Sequence, residues 1–256
     1  MERSRRSRCG ERLTACLGDF DGGNGMARQT ETLGKIPLFR SLTADAIAKV
    51  DTQCSWRKAP GGQWLLDYQD ASSDVFFVVS GSVRVAIQSA GREVLLRHIN
   101  AGEFFGELAA IDNAPRSSGI VAMTDVVIAR MPATVFRTLV HAHPDVCDQL
   151  LTLLAGQIRM LANRVNEFST LDVRHRIHAE LLRLSRPERG NPAHAIISPP
   201  PLHSEIAARV STRREAVARE LKALERERMI ERRRGALVLV DVDRLRRLVN
   251  EAVDSG

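Results

Sequence analysis

The sequence predicts an α+β chain: an antiparallel β-sandwich or roll, then one long helix, then a domain built on two short helices joined by a tight turn. Three observations carry this. Short β-branched and aromatic runs between residues 63 and 131 are punctuated by glycine at regular spacing. Beyond Pro132 the apolar residues recur every three or four positions. Around Ser211 two amphipathic stretches meet at a break.

A chain of 256 residues can hold two domains with hydrophobic cores. No apolar run reaches the ~20 residues of a membrane-spanning helix, and the early arginines are not followed by the apolar stretch of a signal peptide. A cytoplasmic protein with no membrane partner is the expectation. The net charge is +6, and Leu171–Gly256 holds 18 Lys and Arg against 13 Asp and Glu, so most of the excess sits there. Such a basic segment suits a polyanion such as nucleic acid. Arginine outnumbers lysine 33 to 4, which dilutes the meaning of any single arginine. Cys9, Cys16, Cys54 and Cys147 form no C-x-x-C pair and have no histidine at metal-ligand spacing. They are expected to be reduced thiols, without an iron–sulfur cluster.

In chain order, residues 1–30 are rich in Arg and Gly and lack apolar periodicity, which predicts a flexible extension. Met26 stands just before recognisable structure and is a candidate natural start. Ile36–Val50 predicts a short helical lead-in. Strands are predicted at Gln63–Tyr68, Asp74–Val79, Ser82–Ile87, Val94–Ile99 and Gly119–Met131, with turns at Gly61-Gly62, Gly81, Gly91, Gly102 and Asp112-Asn113. Pro144-Asp145 makes a helix start. From there Leu150, Leu154, Ile158, Leu161, Val165 and Phe168 form one stripe to about Ser169. That stripe is longer than one small roll can cover, and predicts pairing with the same helix of a second copy. A second helix is predicted at Val173–Ser185. The Pro- and Gly-rich stretch from Arg186 to Pro201 reads as a loop too irregular to be core. The domains expected are an extension (1–32), the β-roll (33–143), the long helix (144–170) and the C-terminal domain (171–256).

The stretch Phe104–Ala122, FFGELAAIDNAPRSSGIVA, carries the first chemistry. Gly106, Glu107 and Ala109 head a short helical turn, whose free N–H groups attract an anion that glycine allows to approach. Arg116 adds a two-pronged donor for phosphate oxygens, and Ser117 and Ser118 follow it. A carboxylate beside an anion site is repulsive unless Glu107 accepts hydrogen bonds from a neighbouring sugar hydroxyl. The chemistry implied is a phosphorylated ribose. A buried structural Glu–Arg pair in a hairpin is the plain alternative, but it needs neither the glycine nor the serines.

The second chemistry lies at residues 202–226, LHSEIAARVSTRREAVARELKALER. Ile206, Ala207 and Val210 form one apolar face, and Val217, Leu221 and Leu224 form the other. Thr212 and Glu215 make a T-x-x-E capping box for the second helix. The face opposite Val217 and Leu221 carries Arg214, Glu215, Ala218, Arg219 and Lys222. Arginine can bond guanine O6 and N7 together, and glutamate can accept from cytosine N4. Arg214, Glu215 and Arg219 are therefore base-reading candidates, and Arg213 suits a phosphate.

These motifs carry a resemblance. The stretch Phe104–Ala122 resembles the phosphate-binding cassette of cyclic-nucleotide-binding domains, roughly F-G-E-x-A then R-[ST]-A, with Ser118 where alanine is usual. The string from Arg214 to Arg219 resembles the recognition helix of the catabolite activator or cyclic-AMP receptor (CRP/FNR) family of bacterial transcription regulators, and MIERRRGALVLVDVDRLRRLV resembles its wing and closing helix. The resemblance implies a jelly-roll-like cyclic-nucleotide-binding β-roll, a dimerisation helix and a winged helix-turn-helix. It also implies cAMP or cGMP as allosteric ligand on Gly106, Glu107, Leu108, Ala109, Arg116, Ser117 and Asn163, with no metal. Its partners would be double-stranded DNA with a palindromic TGTGA-like site, contacted by Thr212, Arg213, Arg214, Glu215 and Arg219, a second copy of the chain, and RNA polymerase. The family's Thr-Ser pair for the adenine amino group falls, aligned through Leu171-Asp172-Val173, on Leu161 and Ala162, with Asn163 next. Ser117 sits where cyclic-GMP-binding domains place a hydroxyl for guanine. Family frequency favours cAMP, and cGMP stays open. No nucleophile, general base or metal set is positioned for catalysis, so no enzyme activity is expected. A same-fold sensor of haem, redox state or gas is the alternative, against which the intact glycine, glutamate and arginine stand.

Overall fold

The computed structural model describes residues 31–89 and 92–254. The expected extension, the Met26 start, Cys9, Cys16 and the Gly91 turn lie outside them. The chain is α+β and divides into two compact units, between Thr152 and Leu153.

In the first unit, 3-10 turns at Leu33–Lys35 and Pro37–Phe39 lead into helix α1 (Ala44–Asp51), where the Thr43 side chain accepts from Ala46 N–H. The strands are β1 (Ser55–Ala59), β2 (Trp64–Leu66), β3 (Val75–Ser80), β4 (Ser82–Ser89), β5 (Arg92–Asn100), β6 (Phe104–Phe105), β7 (Gly119–Ala122) and β8 (Val126–Met131). Helices α2 (Glu107–Asp112) and α3 (Ala133–Ala142) complete the unit before the long helix α4 (Pro144–Thr170). Two antiparallel sheets, ordered β1-β8-β3-β6 and β2-β7-β4-β5, form the roll.

Alternation explains how β3 is buried on both faces. Phe76 and Val78 join Val83, Val85, Phe105, Ile120 and Ile128 in the core of the roll. Phe77, on the other face, lies between the rings of Phe39, Phe104 and Phe136, with centroids 5.0 to 6.5 Å away.

Two strand predictions needed correction, and strands β1 and β6 were not predicted. The run Gly119–Met131 is two strands, not one, broken at Met123–Asp125. There the Thr124 hydroxyl accepts from Ser82 N–H at 3.1 Å and the Asp125 carboxylate accepts from Gly61 N–H at 3.1 Å. Polar side chains make this turn without glycine, so the sequence showed no break. Gln63–Tyr68 shrinks to β2. Strand β1 lay outside the predicted set, because Ser-Trp-Arg-Lys-Ala has only one fully buried residue.

The second unit begins within α4 and continues with α5 (Val173–Leu184), β9 (Arg186–Glu188), β10 (Asn191–Ile197), α6 (His203–Arg209), α7 (Arg214–Arg226), β11 (Ile230–Arg233), β12 (Ala236–Leu239) and α8 (Val242–Asp254). The stretch predicted as a loop from Arg186 is a hairpin, β9–β10. Ala195 and Ile197 are buried in the core, opposite Leu239 and Leu237 of β12. Gly190 at φ 86° turns the hairpin, so the glycine that suggested an irregular loop serves a tight reversal instead. The sheet runs β11-β12-β10-β9 and packs with Ile177, Leu181, Ile206, Val217, Leu221 and Leu245. Among the described residues no helix is long and apolar enough to cross a membrane.

Candidate functional site

The first candidate site forms where β6 runs into α2. Gly106 caps α2 at φ 85°, in the left-handed region, and the buried Glu107 opens the helix. Ala109 is also buried, whereas Leu108 and Ser117 are exposed. The Arg116 side chain crosses back to this corner and is only 3% exposed. Its Nη1 donates to the Gly106 carbonyl at 2.8 Å, its Nη2 to the Asp74 carbonyl at 2.8 Å, and its Nε to the Ser72 hydroxyl at 3.1 Å. Its backbone is pinned as well: Arg116 N–H donates to Asp70 O, and Gln69 N–H donates to Arg116 O, both at 2.9 Å.

The geometry gives a second reason for the glycine. A Cβ on Gly106 would stand 2.7 Å from Arg116 Nη1 and 2.8 Å from Asp74 O. The missing side chain makes room for the guanidinium. The arginine keeps an N–H on each terminal nitrogen beyond these bonds.

The electrostatics follow from burial. Glu107 is held above the usual carboxylate range by desolvation, which its own backbone N–H, Arg97 and Arg116 oppose. Desolvation also lowers the pKa of Arg116, against the pull of Asp70, Asp74 and Glu107. Asp70 lies lower than usual: burial pushes it up, but bonds from Ser72 and the Arg116 charge outweigh that. The corner thus holds a cation with acids on several sides. Sequence reasoning missed Asp70, Ser72 and Asp74, and also Arg130, whose Nε donates to the Asp74 carboxylate at 2.6 Å. The one available signal was an acid and a hydroxyl in the turn just before the buried strand β3. Asn163 belongs to the second unit, where it is exposed on α4.

The second candidate site is the surface of α7. Val217, Leu221 and Leu224 face the core as predicted, and Ile206, Ala207 and Val210 bury the facing side of α6. Arg213, Arg214, Glu215, Arg219 and Lys222 are exposed, and Thr212 is half-buried. The predicted Thr212 cap is not made. Ser211 takes φ 51°, where the turn has no glycine, and Thr212 N–H donates to Ala207 O at 2.9 Å. This winds the turn one residue further, so Arg213 holds the cap position without a side-chain bond. A cap forms instead at α6, where Leu202 N–H donates to the Glu205 carboxylate at 3.0 Å. Burial, with the charges of Arg232 and Arg214, holds His203 below its usual pKa against the pull of Glu225.

Behind α7, the fully buried His178 Nε2 lies 2.6 Å from the Glu220 carboxylate, and Arg174 Nε donates to the same oxygen at 3.1 Å. Sequence reasoning missed this joint, because Glu220 looks like another exposed helix charge. Of the described cysteines, Cys54 is buried with its thiol pushed up to about 12, chiefly by desolvation. Among the described residues no three of His, Cys, Asp and Glu come together as a metal set.

Residues 56–143 match the family model for the cyclic nucleotide-binding domain, and residues 175–248 match that for the Crp-like helix-turn-helix domain. The cAMP-activated global transcriptional regulator CRP of Salmonella typhimurium is 29% identical over 181 residues, 70% of this chain and 86% of its own. The CRP-like cAMP-activated global transcriptional regulator of Mycobacterium tuberculosis is 26% identical over 219 residues, 85% of this chain and 98% of its own. Among solved structures, a CooA mutant from Carboxydothermus hydrogenoformans shares the fold, with TM-score 0.69 and 21% identity over 78% of this chain and 90% of that one.

Proposed function

Because the chain belongs to the CRP/FNR family of transcription regulators, with a cyclic nucleotide-binding domain and a DNA-binding helix-turn-helix, we propose that it is a homodimer whose grip on a palindromic DNA site is set by cAMP or cGMP. The observation that carries this is the corner at Gly106, where a buried arginine and a buried carboxylate stand together. In this reading the free N–H groups of Arg116 meet the cyclic phosphate, and Glu107 accepts from the ribose 2′-hydroxyl. Ser117, exposed beside Arg116, is the hydroxyl available to a guanine amino group.

On DNA, Arg214, Glu215 and Arg219 read base edges in the major groove, while Arg213 and Thr212 contact phosphate. Two such helices in a dimer would address half-sites about 34 Å apart. The ligand acts only through its differential affinity for the DNA-competent arrangement. RNA polymerase is the partner through which bound protein would act on transcription. The test is calorimetric titration of the protein with cAMP and cGMP in parallel, then DNA binding with each. One of them should bind and tighten the hold on a TGTGA-type duplex. Indifference to both removes this reading and favours a sensor of another signal.

A further inference from the structure

The second unit contains a charged cluster that neither proposed site uses. Glu180, on α5, is fully buried and meets three arginines. Arg164 of α4 reaches it from Nη1 at 2.8 Å, and Arg209, the last residue of α6, reaches its other oxygen at 3.3 Å. Arg183 of α5 bonds it as well, and turns its second nitrogen to Glu167 of α4. Arg164 does a second thing: its Nη2 donates to the Arg209 backbone carbonyl at 2.6 Å, at the C-terminal end of α6. A helix C-terminus presents unpaired carbonyls and the negative end of the macrodipole, so a cation there is well placed. Phe168 lies against Arg164 and Arg176, with guanidinium-to-ring distances of 5.7 and 4.9 Å.

A buried carboxylate shared by three guanidinium groups has few alternative arrangements, because any partner that leaves strands a charge out of water. The cluster therefore fixes geometry more than it adds stability. It also straddles the break between α4 and α5 at Leu171-Asp172, with Arg164 and Glu167 on one side and Glu180 and Arg183 on the other.

We propose that Glu180 is a positioning residue that locks the last turns of α4 to α5 and α6, so that these helices move as one piece and a displacement of α4 reaches the helix-turn-helix without slack. Transmission rests on the function proposed above. The lock itself does not.

The experiment has two arms, both on the full chain. In the first, backbone hydrogen exchange across residues 164–170 is compared without nucleotide for the natural protein and for Glu180→Gln. Exchange there should quicken by roughly ten-fold or more in the variant, while the first unit is unchanged. Equal exchange overturns the lock. Arg164→Lys, which keeps the charge but loses the planar fork, gives the same readout if Glu180→Gln does not fold. In the second arm, DNA affinity is measured with and without the cyclic nucleotide that binds. Both variants should keep their nucleotide affinity yet lose roughly ten-fold from the ratio of the two DNA affinities. A merely structural defect would weaken both DNA affinities alike and leave the ratio intact, which overturns transmission. A natural protein with no ratio at all sinks the proposed function and transmission with it, and the exchange arm still decides the lock.

Discussion

At Gly106 a side chain has nowhere to go, since its backbone is left-handed and its Cβ direction points at Arg116 and Asp74 O. Gly106→Ala should therefore cost about 1–3 kcal/mol of stability from strain alone, and should also displace the guanidinium. Urea unfolding checks the first effect and nucleotide titration the second. A variant that unfolds and binds like the natural protein would show that Gly106 matters to neither. The residue types of this corner were legible from the sequence, because Gly, Glu and Arg at that spacing have few other uses. What holds the arginine was not. Ser72 and Asp74 lie more than 40 positions upstream of Arg116 and reach it only through β-roll closure.

At the scale of elements, the joint between α5 and α7 is the His178–Glu220 pair. Burial holds His178 below its ordinary value of about 6.5, against the pull of Glu220 and with help from Arg174 and His175. Below that value the unfolded chain takes up a proton that the folded chain resists. The pair's contribution to stability is thus present above about pH 6.5 and is lost as the pH falls further. Urea unfolding at pH 7.5 and 5.5 should show the second unit weakening on acidification, and less so in His178→Gln. Equal slopes would remove His178 as the cause. Elements with a sustained period were legible: α4 ends at Thr170, one residue past its predicted end, and the buried side of α7 is the predicted one. The β9–β10 hairpin was not, because its burial depends on β12, a strand far along the chain.

At the scale of the whole molecule, α4 leaves apolar side chains uncovered. Ile158, Leu161, Val165 and Phe168 alternate in steps of three and four, and Ile158 and Val165 are two-thirds exposed. In the homodimer proposed above, these side chains form the seam of a two-stranded coil and a second copy supplies the cover. Val165→Asp should leave the fold intact, because the position is exposed, and should shift the protein from twice the chain mass toward a single chain in sedimentation. A natural protein that sediments as one chain at micromolar concentration would overturn the dimer.

The anchoring of Arg116 bears on how quickly and tightly a ligand is caught. A free arginine side chain surrenders about 2 kcal/mol of rotamer entropy when it settles on a partner. Here Ser72, Gly106 and Asp74 have already frozen the fork while the chain folds. In the function proposed above, an incoming cyclic phosphate would meet a rigid receptor and keep more of its contact energy as affinity.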